Sequence, residues 1–184
     1  MKTAASSPAL RRWTLVATIL ASSMAFIDGS VVSIALPAFQ ASLGATIADV
    51  QWVVEAYTLF LAALMLTGGA LGDRLGRKRI FAIGVVVFTA GSIACGLAPN
   101  MGTLIAFRGL QGIGAALMVP GSLAIISATF PDNERGRAIG TWSAFTSITM
   151  VIGPLVGGAL IDNVSWRAIF FINAPFAVIA LWLT

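Results

Sequence analysis

The chain alternates between long stretches that carry almost no charge and short polar segments. A charge-free stretch of about 17 or more residues is long enough to cross a bilayer as an α-helix. The stretch 80–107 is too long for one crossing, and its Gly-Leu-Ala-Pro-Asn-Met-Gly segment at 96–102 is typical of a turn. The pattern therefore predicts six transmembrane helices, at 13–36, 50–71, 80–97, 103–129, 138–161 and from 166 to the last residue, with Pro37 closing the first.

The segment 69–79 places one acid and four bases between the second and third predicted helices. Such a cluster belongs in water at a membrane surface, because unpaired charges are too costly to bury in hydrocarbon. Gly69, Gly72 and Gly76 would allow a tight reversal there and the close approach of a neighbouring helix. A second polar segment, 130–137, is predicted to form the loop between the fourth and fifth helices.

The distribution of Lys and Arg predicts the orientation of the chain. Residues 1–12 hold three of them, the segment 69–79 four and the segment 130–137 two, whereas the opposite helix ends hold only Arg167. Basic residues concentrate on the cytoplasmic side of membrane proteins. Residues 1–12 are therefore predicted to be a cytoplasmic tail, and residues 13–184 a multi-pass bundle in the plasma (inner) membrane. The first helix is expected to be retained, since no convincing signal-peptide cleavage site precedes the second.

Composition argues against several other classes of protein. With 58% hydrophobic and 10% charged residues, the chain is unlike a soluble domain, in which about a quarter of the residues are charged. Its net charge of +4 lies at the ends of apolar stretches, so no nucleic-acid partner is predicted. The chain has no histidine and one cysteine, Cys95, which leaves carboxylates as the candidate proton-exchanging groups. No metal, no cofactor, no catalytic residue and no enzymatic activity are predicted.

Three charged residues fall inside predicted helices: Asp28, Glu55 and Arg108. Counted from the nearest helix ends, they lie in the outer half of the membrane, within roughly two helical turns of one another in depth. A charge near the bilayer centre costs about 2.5–3.5 kcal/mol, so such residues normally face a cavity or each other. One interpretation is that Asp28 or Glu55 exchanges protons while Arg108 stabilises its charged form. The alternative is a structural polar network or, for Glu55, a side chain that reaches the outer interface.

Small residues mark one face of the fourth helix. Gly109, Gly112 and Ala116 recur at spacings of three and four, which permits close contact with a neighbouring helix. Gln111 lies one turn from Arg108 and could orient it or donate a hydrogen bond to a ligand.

The fifth helix contains Gly153, Pro154, Gly157 and Gly158. Gly153 and Gly157 make a flat face, and Pro154 removes a backbone hydrogen bond and is expected to kink the helix. Such a face suits a moving interface or a cavity wall, although ordinary helix packing explains the same spacing.

Taken together, these segments resemble the major facilitator superfamily over nearly the whole chain. That family's loop between helices two and three is matched at Gly69, Asp73, Arg74, Gly76, Arg77 and Lys78. Its Arg-x-x-Gln-Gly motif of helix four is matched at Arg108, Gln111 and Gly112. Its antiporter motif of helix five is matched at Gly140, Gly153, Pro154, Gly157 and Gly158, with Thr149 in place of one glycine. The resemblance implies that the loop 69–79 helps to gate the inner side against a C-terminal half, and that Arg108 takes part in proton coupling.

Two further segments are similar to the fourteen-helix drug:proton antiporter branch of that family. They are Asp-Gly-Ser-Val-Val-Ser-Ile-Ala-Leu-Pro at 28–37 and Trp-Arg-Ala-Ile-Phe-Phe-Ile-Asn-Ala-Pro at 166–175. The segment Gln-Trp-Val-Val-Glu-Ala-Tyr at 51–57 also resembles the start of that branch's second helix. Ser30 and Ser33 stand where the branch usually has Thr and Asn, which weakens any substrate assignment to the first segment.

This resemblance implies an all-α membrane protein: a six-helix N-terminal bundle built of two inverted three-helix repeats. The chain ends in apolar residues without a basic anchor, so the C-terminal half of the transporter is expected to be missing. The implied activity is export of small lipophilic compounds in exchange for protons, by alternating access. A proton-coupled uptake symporter of the same fold and a non-transporting membrane scaffold remain as alternatives.

Overall fold

The computed structural model of the protein describes residues 7–184, and every element in that part of the chain is helical. Five helices are long and apolar enough to cross a membrane: α1 (Pro8–Leu43), α2 (Ile47–Leu75), α3 (Arg77–Gly96), α4 (Met101–Thr129) and α5 (Asp132–Asn163). They are followed by two short consecutive helices, α6 (Ala168–Phe171) and α7 (Asn173–Trp182). The sixth predicted crossing is therefore a shorter apolar segment, interrupted at Ile172.

Helices α1 to α5 run in alternating directions, and α6 and α7 together make the last passage, so that the turns alternate between the two ends of the bundle. One end, here termed the basic end, carries the start of α1, the turn between α2 and α3, the turn between α4 and α5, and the end of α7. Contacts hold this end together: Arg11 Nη1 lies 2.7 Å from Glu134 Oε2, and Lys78 Nζ donates to the Thr184 carbonyl at 2.8 Å. The opposite end, termed the far end, carries the turns at 44–46, 97–100 and 164–167. There Arg167 Nη1 donates to the carbonyls of Gly96 and Ala98, at 2.9 and 2.7 Å, and so caps α3.

Residues 8–12 of the predicted tail belong to α1, whereas residues 1–6 lie outside the described part of the chain. Two further helix boundaries were wrong by more than a helical turn. Helix α1 runs through Pro37 and ends only at Gly44, whose φ of 63° is the left-handed conformation that glycine adopts easily. A proline removes only its own backbone N–H bond, so a long helix can continue past it.

The segment 130–137, predicted to be a loop, is mostly the beginning of α5. Only Phe130 and Pro131 lie outside helices there. Asp132 and Glu134 stand in the first turn of α5, where acidic side chains are stabilised by the positive end of the helix dipole. The reversal in the segment 69–79 is equally short, since α2 and α3 are separated by Gly76 alone, with a φ of 103°.

Helix α4 packs closely between α2 and α3 through glycines. A Cβ atom on Gly112 would lie 2.4 Å from the Tyr57 carbonyl oxygen of α2, and one on Gly68 of α2 would lie 2.2 Å from the Ala116 carbonyl oxygen. On the other side, a Cβ on Gly114 would lie 2.3 Å from the backbone nitrogen of Phe88 in α3. The close helix contact predicted for the small-residue face of the fourth helix is confirmed.

Helix α5 packs on α1 in the same way. Gly153 lies against Ser30, and Gly157 lies against Val31, where added Cβ atoms would approach the side chains to 2.4 and 2.6 Å. Helix α1 therefore lies between α5 and α4, and its buried polar residues face the interior of the bundle.

Candidate functional site

The charged residues of α1 and α4 meet in the interior of the bundle. Arg108 Nη1 donates to Asp28 Oδ2, and both side chains are only 1% exposed. The expectation that these two charges face each other instead of lipid is confirmed. Because burial of an unpaired charge is so costly, each residue explains how the other is tolerated inside a membrane helix.

Gln111 joins the two charged groups through its side-chain amide. Its Oε1 accepts from Arg108 Nη1 at 2.8 Å, and its Nε2 donates to Asp28 Oδ1 at 3.0 Å. The Cys95 thiol also donates to Oε1, at 3.3 Å. Reversing the amide would place its NH2 group against two donors and its oxygen against a carboxylate, so this environment allows only one orientation.

Arg108 has two further contacts, both with α2. Its Nε donates to the Val53 carbonyl at 3.0 Å, and its Cζ lies 4.4 Å from the centre of the Tyr57 ring. The Tyr57 hydroxyl donates to the Ala25 carbonyl of α1 at 3.4 Å. The guanidinium is thus surrounded by groups from three helices.

Tyr57 and Cys95 were not predicted to belong to this cluster. A hydroxyl group in an otherwise apolar stretch is a weak signal that could have drawn attention to Tyr57. Cys95 offers no such signal, because a buried free cysteine usually behaves as a small apolar residue.

Glu55 does not join the cluster, although its predicted depth in the membrane is similar. It lies on an exposed face of α2, and within residues 7–184 no hydrogen bond or ion pair connects it to Asp28 or Arg108. The structure therefore separates the two candidate acids: Asp28 is paired and buried, and Glu55 is exposed.

The glycines of the predicted antiporter motif divide between two faces of α5. Gly153 and Gly157 are buried against α1, whereas a Cβ on Gly158 would meet no atom within 4 Å. Helix α5 continues through Pro154, which is partly buried. Close packing explains the first two glycines, and a role of the motif in a substrate cavity stays a prediction.

The predicted gating segment 69–79 packs on the basic end of α4. Asp73 Oδ1 accepts from Arg77 Nε at 2.9 Å, and Arg77 Nη1 donates to the Ala124 carbonyl of α4 at 3.1 Å. A Cβ on Gly69 would lie 3.9 Å from the Pro120 side chain of α4, while Arg74 is exposed. These contacts join the α2–α3 turn to α4, and gating against a second half stays a prediction.

Comparison with known proteins gives consistent matches over almost the whole chain. The multidrug resistance protein Stp of Mycobacterium tuberculosis (strain CDC 1551 / Oshkosh) is 46% identical over 172 residues, covering 93% of this chain and 32% of that protein. The tetracenomycin C resistance and export protein of Streptomyces glaucescens is 42% identical, with the same two coverages. This chain thus spans about a third of the length of these curated relatives.

The fold is also that of solved transporter structures. A bacterial homolog of the human lysosomal transporter Spinster, in its inward-facing, occupied conformation, matches with a TM-score of 0.84 and 26% identity. The match covers 96% of this chain and 44% of that one. The family model of the Major Facilitator Superfamily matches residues 18–184. The chain therefore belongs to the Major Facilitator Superfamily, a family of membrane transporters and not of enzymes.

Proposed function

We propose that this chain is the N-terminal half of an exporter that moves lipophilic, drug-like compounds out of the cell in exchange for protons. Two of its relatives are named for multidrug resistance and for tetracenomycin C resistance and export, which supports the substrate class and the direction. The observation that carries the proton coupling is the buried pair of Asp28 and Arg108, bridged by Gln111. Other members of the fold place their substrates near the bilayer midplane between two halves.

Asp28 is the proposed proton carrier. A guanidinium cannot give up its proton under these conditions, whereas a carboxylate can gain one, so only one member of the pair can change charge. A proton on Asp28 removes the charge that attracts Arg108 and turns one carboxylate oxygen from an acceptor into a donor. The two protonation states therefore favour different contacts between α1 and α4, which is what a carrier needs in order to link proton binding to a change of conformation.

The proposed orientation places the basic end in the cytoplasm and the bundle in the plasma membrane, because eight of the ten Lys and Arg residues within the described residues 7–184 belong to that end. In this orientation the segment 69–79, with Asp73, Arg74, Arg77 and Lys78, faces the cytoplasm. It is placed to contact the C-terminal half, here proposed as a partner, and to help close the inner side of the transporter.

A vesicle assay tests this function. Everted vesicles that contain this chain together with the proposed C-terminal half are given an acidic interior, and ethidium, a lipophilic cation, is added outside as the probe. An antiporter discharges the gradient on addition of ethidium, and Asp28→Asn abolishes the discharge. Asp162→Asn, which removes an exposed carboxylate near the end of α5, is the control and keeps it.

The same assay separates the alternatives. A symporter would move ethidium and protons in the same direction, so that ethidium inside the vesicles would be needed to discharge the gradient. A membrane scaffold would give no discharge, and its partner-dependent activity would survive Asp28→Asn. Either result would contradict the proposed antiport.

A further inference from the structure

The contacts of Arg108 divide into those that depend on Asp28 and those that do not. The bond from Nη1 to Asp28 depends on the carboxylate, whereas the bond from Nε to the Val53 carbonyl and the contact with the Tyr57 ring do not. The bond from Nη1 to Gln111 Oε1, at 2.8 Å, is also independent of Asp28 but lies within α4 itself, so both independent contacts with another helix come from α2. The guanidinium therefore keeps partners on α2 when Asp28 is neutral.

The backbones of α2 and α4 are in close contact beside Arg108, with no room between them for a side chain. Gly112, one turn from Arg108 on α4, lies against the backbone carbonyl of Tyr57 itself, where a Cβ would approach to 2.4 Å. The backbone that carries the Tyr57 ring is consequently held close to the helix that carries Arg108. Asp28, in contrast, reaches Arg108 and Gln111 from α1 through side-chain contacts alone.

The ring of Tyr57, more than its hydroxyl, provides the contact with Arg108. The side chain is only 6% exposed, and a cation over an aromatic face gains most where water is excluded. The hydroxyl makes a long bond of 3.4 Å to Ala25, in the turn of α1 before Asp28. At that length a hydrogen bond is weak.

We propose that Tyr57 is a positioning residue of the proton-coupling site, whose aromatic face keeps the Arg108 guanidinium on α2 while Asp28 is protonated. Asp28 and α1 then move, while Arg108 stays in place. When Asp28 loses its proton, its carboxylate can form the ion pair with Arg108 again. This inference rests on the proposed proton-coupled function, and it adds a residue that neither the charges nor the glycine motifs indicate.

The test weakens the ring face without changing its shape. Phenylalanine analogues with one, two and three ring fluorines are incorporated at position 57, because each fluorine withdraws electron density from the face that attracts the cation. The maximal rate of ethidium-driven proton exchange should fall stepwise, by about tenfold over the series, with KM for ethidium unchanged. Tyr57→Phe should stay within about twofold of the wild type, and Tyr57→Leu should lose at least about tenfold. The same fluorine series at Phe60, a partly exposed aromatic residue of α2 at 41% exposure, is the matched control and should be flat.

A second measurement does not depend on transport. Asp28→Asn imitates the protonated state, in which Gln111, the Val53 carbonyl and the Tyr57 ring are left to hold Arg108. Each fluorine at position 57 should therefore lower the melting temperature of the detergent-solubilised Asp28→Asn protein more than that of the wild type. Equal shifts in the two backgrounds would overturn the proposal.

The outcomes for the two proposals are distinct. Ethidium flux without any proton movement would contradict the proposed antiport, and the melting series would still report on Tyr57. A flat fluorine series in rate, or equal losses at positions 57 and 60, would overturn the role of Tyr57 while leaving antiport intact. Tyr57→Phe as impaired as Tyr57→Leu would assign the effect to the hydroxyl and overturn the role of the ring.

Discussion

Arg108 and Asp28 are chemically unequal members of their pair. A carboxylate that loses its partner inside the bundle can take up a proton and become neutral, whereas an arginine that loses its partner stays charged. Both are buried to the same degree, so the difference lies in their chemistry and not in their surroundings. The two single substitutions should therefore have unequal costs.

We expect Asp28→Asn to destabilise the protein more than Arg108→Leu does. Removing one member of a buried ion pair costs about 3–5 kcal/mol when the remaining group stays charged. Arg108 would stay charged, because a guanidinium does not lose its proton under these conditions. The melting temperatures of the two purified variants at neutral pH give the comparison, with Asp162→Asn as an exposed carboxylate control. A larger loss for Arg108→Leu would contradict this ranking.

At the scale of helices, the bundle depends on positions where no side chain can be accommodated. Helix α4 touches its neighbours through Gly112 and Gly114, and α5 touches α1 through Gly153 and Gly157. Lipid tails are as apolar as the side chains, so close packing and not apolar burial holds such helices together. The cost of replacing each glycine therefore depends on which atoms of the neighbouring helix lie against it.

Gly112→Ala should lower the amount of folded protein severely, because its methyl group would come within 2.4 Å of a backbone oxygen that cannot turn aside. Gly136→Ala is the matched control. Gly136 also lies inside a helix, but no atom lies within 4 Å of the added carbon, so this change should be neutral or stabilising by about 0.4–1 kcal/mol. Size-exclusion profiles of fluorescently tagged variants measure the effect. Equal profiles for the two variants would show that the α2–α4 contact is looser than a 2.4 Å approach implies.

Gly157→Ala should be damaging but correctable. The added methyl group would meet the Val31 side chain at 2.6 Å, and shortening that side chain in a Val31→Ala background removes the closest atoms. The double variant should therefore melt at a higher temperature than Gly157→Ala alone, even though Val31→Ala by itself is destabilising. Additive losses would mean that Gly157 acts through something other than its contact with α1.

At the scale of the whole molecule, the two ends of the bundle differ in charge, and this difference should decide how the chain sits in the membrane. Cys95 is fully buried, so the wild-type protein provides a low background for thiol labelling. New cysteines at exposed positions on each end can then report the orientation.

Pro99→Cys, in the turn at the far end, should react with a membrane-impermeant maleimide on intact cells. Asn133→Cys, exposed at the basic end, should react only after the cells are opened. The reverse pattern would contradict the cytoplasmic placement of the basic end.

Much of this arrangement could be predicted from the sequence, because the signals are local. The length of an apolar stretch decides whether a helix can cross a bilayer. The glycine spacing at 109–112 predicts a close contact with a neighbouring helix, although it does not show which helix that is. The boundary at Pro37 was missed because a proline can be accommodated inside a long helix. The boundary in 130–137 was missed because acidic residues, which are also common in loops, are stabilised in the first turn of a helix.

Depth in the membrane, and with it the need of Asp28 and Arg108 for a buried partner, follows from the order of residues alone, since charge and rise per residue are properties of the chain itself. Rotation about each helix axis does not follow from it. Glu55 has a similar depth to Arg108 but points out of the bundle, while Tyr57, two residues later, points in and lies against the guanidinium. Only packing among four helices decides which side chains share the interior. The rotation of each helix about its axis is fixed where glycines such as Gly112 pack against the backbone of a neighbouring helix. The family and the crossings were thus in the sequence, and the membership of the polar cluster came from the tertiary structure.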